Sequence, residues 1–402
     1  MMPVKDIIGV LTWARNINYG GVLQAFALRS VIEDLGYHAE FMHYEQNQAD
    51  VSYWRLFGFT RHNRLPFWIG WVLDFLVRVF VDGYFLASFL RLKRSRAFIS
   101  KYIRLSREYY PDYPSLCRQA KYGTIVVGSD QVWNPVFFNG VPGYLMAAMP
   151  KCVRKVAYAA SVALPEIGED IGYFKAALPS YVAVSLREKS CIGELERECG
   201  VPVKWVVDPT LLLSATEWIK LLNLPDAKDG GHITCYWLSD IEEVLPQLFS
   251  FVKASGRKVH LFSNIESFRV KSFSPLAILR HLILRIRLLL SPQISFHKAA
   301  GPQQFLSDLI SSSAVISDSF HALMFSTVFR KPVRIVVTPE RVQMASRIDD
   351  FLSHVGMQGI RVNSVSTDMF VDGPVCTDEM ISRLDHWIAS SLAFLEKALA
   401  QG

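Results

Sequence analysis

The chain has 402 residues, half of them hydrophobic and a fifth charged, with 43 Lys and Arg against 37 Asp and Glu for a net charge of +6. This composition excludes a disordered polymer, and the length sets an expectation of two domains, each burying its own core. The modest positive balance suits acidic small molecules or an anionic membrane surface; with no reading helix, zinc finger or aromatic-basic sheet motif, no nucleic-acid partner is expected.

Ile7 to Thr12 reads as a strand, Asn18-Tyr19-Gly20-Gly21 as a loop, Val22 to Leu35 as a helix closed by Gly36, and His38 to His43 as a second strand. Together they make a βαβ opening. The free amides at the helix start suit an anion, although simple closure of the loop explains a Gly-Gly turn equally well. An insertion near 50–118 follows. Its part from Leu65 to Leu90 is rich in Phe, Trp and Tyr, with Asp74, Arg78 and Asp82 at four-residue intervals, and Arg91, Lys93, Arg94 and Arg96 come next.

Thr124 to Val127 reads as a strand, its Ile125 to Val127 suited to cover on both faces, and Gly128 allows a sharp turn at its end. Ser129, Asp130, Gln131 and Asn134 then crowd one loop outside a strand's carboxyl end, where ligands bind in open α/β sheets. Ser129 or Asp130 capping a following helix is the other reading. Further strands are expected at Lys155 to Ala160, Tyr181 to Leu186 and Val203 to Val207. Arg187, just after the strand ending at Leu186, has the fork that grips a carboxylate or phosphate, or else makes an ordinary ion pair with Glu188 or a neighbour.

A second series of strands follows at Ile233 to Leu238, Lys258 to Phe262, Ala314 to Ile316 and Val333 to Val337. The two series imply two doubly wound α/β domains facing a cleft, 1–208 and 209–376, with the boundary near Asp208 to Thr216. In the second, Leu276 to Leu290 is a leucine and isoleucine helix with Arg280, His281, Arg285 and Arg287 on one side. Ser317, Asp318 and Ser319 precede a helix whose first turn holds His321. The positive helix end favours a neutral imidazole there, useful for proton transfer. Ser346 and Arg347 mark another helix start and another anion clamp. Thr377 to Leu399 repeats apolar residues at helical spacing, a final helix within 377–402 that can pack back on the first domain.

The six cysteines, Cys117, Cys152, Cys191, Cys199, Cys235 and Cys376, show no CxxC pair, which points to free thiols in a reducing compartment and to small core residues. With no secretory signal read at the amino terminus, the expected location is cytoplasmic. No zinc motif, Walker loop, GxGxxG or GxSxG elbow occurs, so neither a metal nor a cofactor is expected. The segments 65–96 and 276–290 are candidates for an anionic membrane surface, against the plainer reading that they pack on the core or on a second subunit.

NYGGVLQAFAL, VVGSDQVWNP, YAASVALPE, VSLREKS, VVDPTLLL, SDSFHALMFSTVFRKP and SRIDDFL occur in the order seen in the polysaccharide pyruvyl transferase family, and the chain resembles that family from Ile7 to Leu352. The resemblance implies a glycosyltransferase B-like architecture. It also implies transfer of the enolpyruvyl unit of phosphoenolpyruvate to a sugar or lipid-linked sugar, as a pyruvate ketal. On that reading His321 is the acid, Arg187 and Arg347 hold the donor's anionic groups, and Asp130 accepts the hydroxyl proton, with Asp208 a rival for that role. Asn18, Tyr19, Gly20, Ser129, Gln131, Asn134, Asp208, Ser319, Ser346 and Arg347 would line the substrates. The family often has Gly where Ala322 stands. A nucleotide-sugar glycosyltransferase of the same architecture and a non-catalytic membrane-bound assembly factor are the rival readings.

Overall fold

A computed structural model describes residues 7–44, 85–137, 143–226, 230–264, 267–268, 274–339, 342, 345–366, 369 and 377–400. The first sheet contains β1 (Ile8–Leu11), β2 (Ala39–Tyr44), β3 (Leu105–Tyr110), β4 (Thr124–Val127), β5 (Arg154–Ala160), β6 (Ala183–Leu186) and β7 (Val203–Trp205), in the order β3-β2-β1-β4-β5-β6-β7. The second contains β8 (His232–Trp237), β9 (Lys258–Ser263), β10 (Ile294–Phe296), β11 (Ala314–Ser317), β12 (Val333–Val336) and β13 (Arg361–Val362), in the order β10-β9-β8-β11-β12-β13. Every pairing is parallel.

The central strands β1, β8, β11 and β12 are buried at every position, as near-continuous apolar runs covered on both faces by helices must be. Both strand orders reverse once, between β1 and β4 and again between β8 and β11, the doubly wound Rossmann-like arrangement. A crevice opens outside the carboxyl ends at each reversal. The polar loops therefore sit where the topology itself leaves room.

The structure adds three strands that local pattern did not reveal. β3 reads LSREYY with an exposed middle, β10 has three residues and β13 two. All lie at or next to a sheet's rim, where one covered neighbour suffices and the apolar signal is weak. The loop after β4 is followed by a short 3₁₀ turn at Pro135–Phe137, not an α-helix, so Ser129 and Asp130 do not cap one. Among the described cysteines Cys191 and Cys235 are buried, Cys152 is exposed, and Cys117 and Cys199 are partly covered. Cys376 and the aromatic segment from Leu65 to Tyr84 lie outside the described residues.

Two contacts lock the halves together. Tyr19, at the start of the helix Tyr19–Asp34, donates its hydroxyl to the carbonyl of Ala300 at 2.9 Å and stacks on Phe305 at 4.7 Å. Arg91, fully buried in the helix Phe85–Tyr102, lies 4.3 Å over the Tyr19 ring and donates to the carbonyls of Ser263 and Ile17. The last helix, Asp378–Ala400, returns to the first sheet: Trp387 donates to the Trp205 carbonyl at 3.3 Å, and Ser391 Oγ accepts from Val207 N–H at 3.0 Å. Replacing Arg91 by Met keeps the stem but strands two buried carbonyls. Denaturant unfolding should show a loss of about 2–4 kcal/mol; unchanged stability would mean that this contact does not join the halves.

Candidate active site

Six loops, those after β1, β4, β6, β7, β11 and β12, converge at the carboxyl ends of the two sheets. Asn18 caps the first helix, its Oδ1 accepting from Gly20 N–H at 3.0 Å and from the Tyr236 hydroxyl at 3.1 Å. Gly20 and Gly21 open that helix, the first with no room for a side chain and the second with little. A Cβ on Gly20 would stand 2.2 Å from the His321 ring, and one on Gly21 would stand 3.2 Å from Asp130 Oδ2. Absence of a side chain is thus what lets the second half's histidine rest on the first half's backbone.

Arg187, at the end of β6, is the centre of the cluster. Its Nη1 donates to Asp208 Oδ2 at 2.9 Å and its Nη2 to Asp130 Oδ1 at 3.1 Å, while Nε stands 4.0 Å from Glu188 Oε2; the side chain has no exposed surface. The expected open fork for a ligand is therefore already engaged by carboxylates. Asp208 also accepts from Ser129 Oγ at 3.2 Å and, through Oδ1, from the backbone and hydroxyl of Thr210. Burial alone would raise its proton affinity, but the charges of His321 and Arg187 and the Thr210 hydrogen bonds outweigh that and hold it below the usual carboxylate range. Glu188 behaves oppositely. Burial raises it, although its Oε1 accepts from Val162 and Ala163 N–H at 2.6 and 3.0 Å.

His321 lies in the first turn of the helix Phe320–Val328 and is almost fully buried. Its Nε2 has no hydrogen-bond partner and faces Asp208 Oδ2 at 3.9 Å. The imidazole is pushed down to about 4, first by burial, with Arg187 and Arg347 adding to it and Asp208 and Asp130 opposing. Burial, rather than the helix end, leads the shift. The ring is neutral near pH 7, and an orphaned buried nitrogen of this kind calls for an incoming polar atom.

Arg347 follows Ser346 at the start of the helix Ser346–Val355, and that helix is tied to the first half where Asp350 accepts from Lys189 and Ser190 N–H at 2.8 and 3.1 Å. The Gln131 amide oxygen, turned to satisfy both ends of the group, accepts from Arg347 at 2.9 and 2.5 Å. Neither Ser319 nor Ala345 caps its helix through a side chain, and Ser346 Oγ is buried without a partner, so two helix starts bearing N–H groups flank His321 and Arg347. This is anion-binding chemistry.

Of the expected residues, Asn18, Gly20, Ser129, Asp130, Gln131, Arg187, Asp208, Ser319, His321, Ser346 and Arg347 come together here. Tyr19 spends its hydroxyl on joining the halves. Asn134 closes its own turn, its Oδ1 accepting from Val136 N–H at 3.0 Å. Three further residues received no site role in the sequence reading. Phe320 carries the Arg187 and Arg347 guanidinium groups 4.9 and 5.4 Å from its ring; Thr12 donates to the Ser129 carbonyl at 2.8 Å; Asp318 holds Leu238 and Ser239 N–H at 2.7 and 2.8 Å. Asp318 and Phe320 stand inside the SDSFH run, where position beside His321 was the available signal.

Among the described residues, His232, His260 and Asp308 bring ligand-type atoms within 4.8 Å of one another. They lie toward the amino ends of β8 and β9, away from the carboxyl-end loops. The two imidazoles stack at 3.8 Å, facing separate oxygens of Asp308 at 3.2 and 2.6 Å.

The profile of the family described as polysaccharide pyruvyl transferase matches residues 18–339. No curated protein matches the chain. Among solved structures, UDP-GlcNAc 2-epimerase of Methanocaldococcus jannaschii aligns at 11% identity over 95% of this chain and 99% of its own, with a TM-score of 0.44. The S. aureus MnaA–UDP structure aligns at 11% over 96% and 90%, TM-score 0.47. AviGT4, a glycosyltransferase of avilamycin A biosynthesis, aligns at 10% over 99% of each, TM-score 0.44. Likeness at this level carries no chemistry across.

Gly20→Ala should displace the His321 ring and lower turnover by about 100-fold, as ångström-scale misplacement does, with circular dichroism unchanged; full activity would show that the contact does not set the ring. The pH dependence of stability has a definite sign. Unfolded, His321 titrates near 6.5, and folded near 4, so its contribution is complete above about pH 6.5 and falls as the unfolded chain gains the proton below it. Between pH 7 and 4, wild type should lose up to about 3 kcal/mol relative to His321→Asn, measured by urea unfolding; parallel curves would place a protonated imidazole in the fold.

Proposed function

The chain belongs to the polysaccharide pyruvyl transferase family, and from that premise we propose that it transfers the three-carbon unit of phosphoenolpyruvate to two hydroxyls of a sugar in a cell-surface polysaccharide or its lipid-linked precursor. The products of this reading are a pyruvate ketal and phosphate. The carbon–oxygen bond to phosphate breaks and two carbon–oxygen bonds to the sugar form. One hydroxyl proton ends on the methylene carbon, which becomes a methyl group, and the other leaves with phosphate.

One observation carries this reading: the buried, unpartnered Nε2 of His321, set among Asp208, Asp130 and Arg187 and flanked by two open helix starts. The donor carries a carboxylate and a phosphate, which match Arg347 and those N–H groups. Its charges raise the proton affinity of His321, so the ring can take a proton and deliver it to the methylene carbon. Asp130 receives the proton of the attacking hydroxyl. Arg187, already shared by Asp130 and Asp208, orients those carboxylates and meets the donor only through them, a narrower role than an open clamp.

Purified protein given phosphoenolpyruvate and a saccharide acceptor should release phosphate and gain a ketal visible by mass spectrometry. His321→Ala should lower that rate by about 1,000-fold or more while the melting temperature stays near wild type. Release of nucleoside diphosphate from a nucleotide sugar, with phosphoenolpyruvate inert, would overturn the assignment.

A further inference from the structure

The helix Pro275–Leu290 crosses from β9 to β10 at the rim of the second sheet. Its inner line, His281, Leu284 and Leu288, is buried, with His281 Nδ1 on Glu242 Oε1 at 2.8 Å. His281 therefore leaves the basic side on which the sequence pattern placed it. The outer line is apolar and bare. Of the fifteen large apolar side chains exposed among the described residues, six are on this one helix: Leu276 at 77%, Leu279 at 53%, Ile283 at 49%, Ile286 at 53%, Leu289 at 66% and Leu290 at 76%.

Residues 276, 279, 283, 286 and 290 recur at alternating steps of three and four, so they form one stripe along the helix. Arg280 and Arg287 are exposed beside it, and from Ser267 to Ser307 there are six Lys or Arg and no acid. On the neighbouring helix Glu242 is held by His281 Nδ1 at 2.8 Å, and Arg280, its Nε 3.6 Å from the same carboxylate, still exposes 61% of its side chain. A second copy seated on this stripe through a two-fold would set arginines against arginines with no acid in the segment to offset them. No described helix is long and apolar enough to cross a membrane. An apolar stripe edged by arginines on a helix of about 24 Å fits instead the plane between lipid tails and anionic headgroups.

We propose that Pro275–Leu290 docks this protein on an anionic bilayer surface, lying flat with Leu279, Ile283 and Ile286 in the headgroup boundary and Arg280 and Arg287 among the lipid phosphates. The inference is independent of the chemistry assigned to His321. It is tested by floating the full chain with vesicles of phosphatidylcholine alone and with vesicles containing about 30% phosphatidylglycerol. Recovery with the anionic vesicles should be about tenfold greater and should fall at high salt. Leu279→Gln/Ile283→Gln/Ile286→Gln should lose flotation while keeping the wild-type melting curve, and Arg280→Gln/Arg287→Gln should lose the preference for anionic lipid. Wild type that fails to float overturns the proposal. So does a dimer that the triple substitution turns into a monomer without any vesicle binding, which would make the stripe an interface between copies.

Discussion

Arg187 shares its two terminal nitrogens between Asp208 and Asp130, with Glu188 4.0 Å from the third and no surface exposed to water. Burying such a cluster is unfavourable unless nearly every charge is answered, and apolar residues of similar volume commonly stabilise a fold as well or better. Here the answers come from far apart in the chain: the loop after β4 supplies Asp130, the segment after β7 supplies Asp208, and Thr210 and Ser129 complete the latter's shell. Stability alone gives no reason for this arrangement. A requirement to hold two carboxylates at fixed angles beside a neutral histidine does.

The fold makes that arrangement possible. Both sheets reverse their strand order once, and both reversals are lined by short polar loops. The two crevices are closed against each other by Tyr19 and Arg91, which settle in the second half, and by the His321 ring, which settles on Gly20 of the first. Asp350 and Gln131 add hydrogen bonds across the same seam and bring Arg347 within 5.4 Å of the Phe320 ring that Arg187 also approaches. The polar cluster and the seam between the halves consequently share residues: a change at Gly20 acts on the histidine, and a change at Arg91 acts on the seam.

Much of this was legible in the sequence because buried parallel strands are short apolar runs with abrupt polar ends. Thr124–Val127 was delimited to the residue, and the loops after β1, β4, β6 and β11 announced themselves by Gly, Ser and Asp. Of the four rim strands only β7 was legible; Leu105–Tyr110 covers little, and Ile294–Phe296 and Arg361–Val362 are three and two residues long. Long-range partners were beyond reach as well. Nothing near Arg187 says that its fork is filled by Asp208 and Asp130, nothing near Tyr19 says that its hydroxyl crosses to Ala300, and helical periodicity placed His281 with the arginines although Glu242 draws it inward.

The central claim is that burial, reinforced by Arg187 and Arg347, holds His321 neutral until an anionic donor arrives. Histidine-labelled protein followed by NMR through an acid titration tests it directly, first alone and then saturated with phosphoenolpyruvate without acceptor. The free protein should show His321 titrating at about 4, and the donor should raise that value by roughly two units or more, as a nearby phosphate does. A His321 that titrates at an ordinary value in the free protein, or one that phosphoenolpyruvate leaves unmoved, would contradict the account.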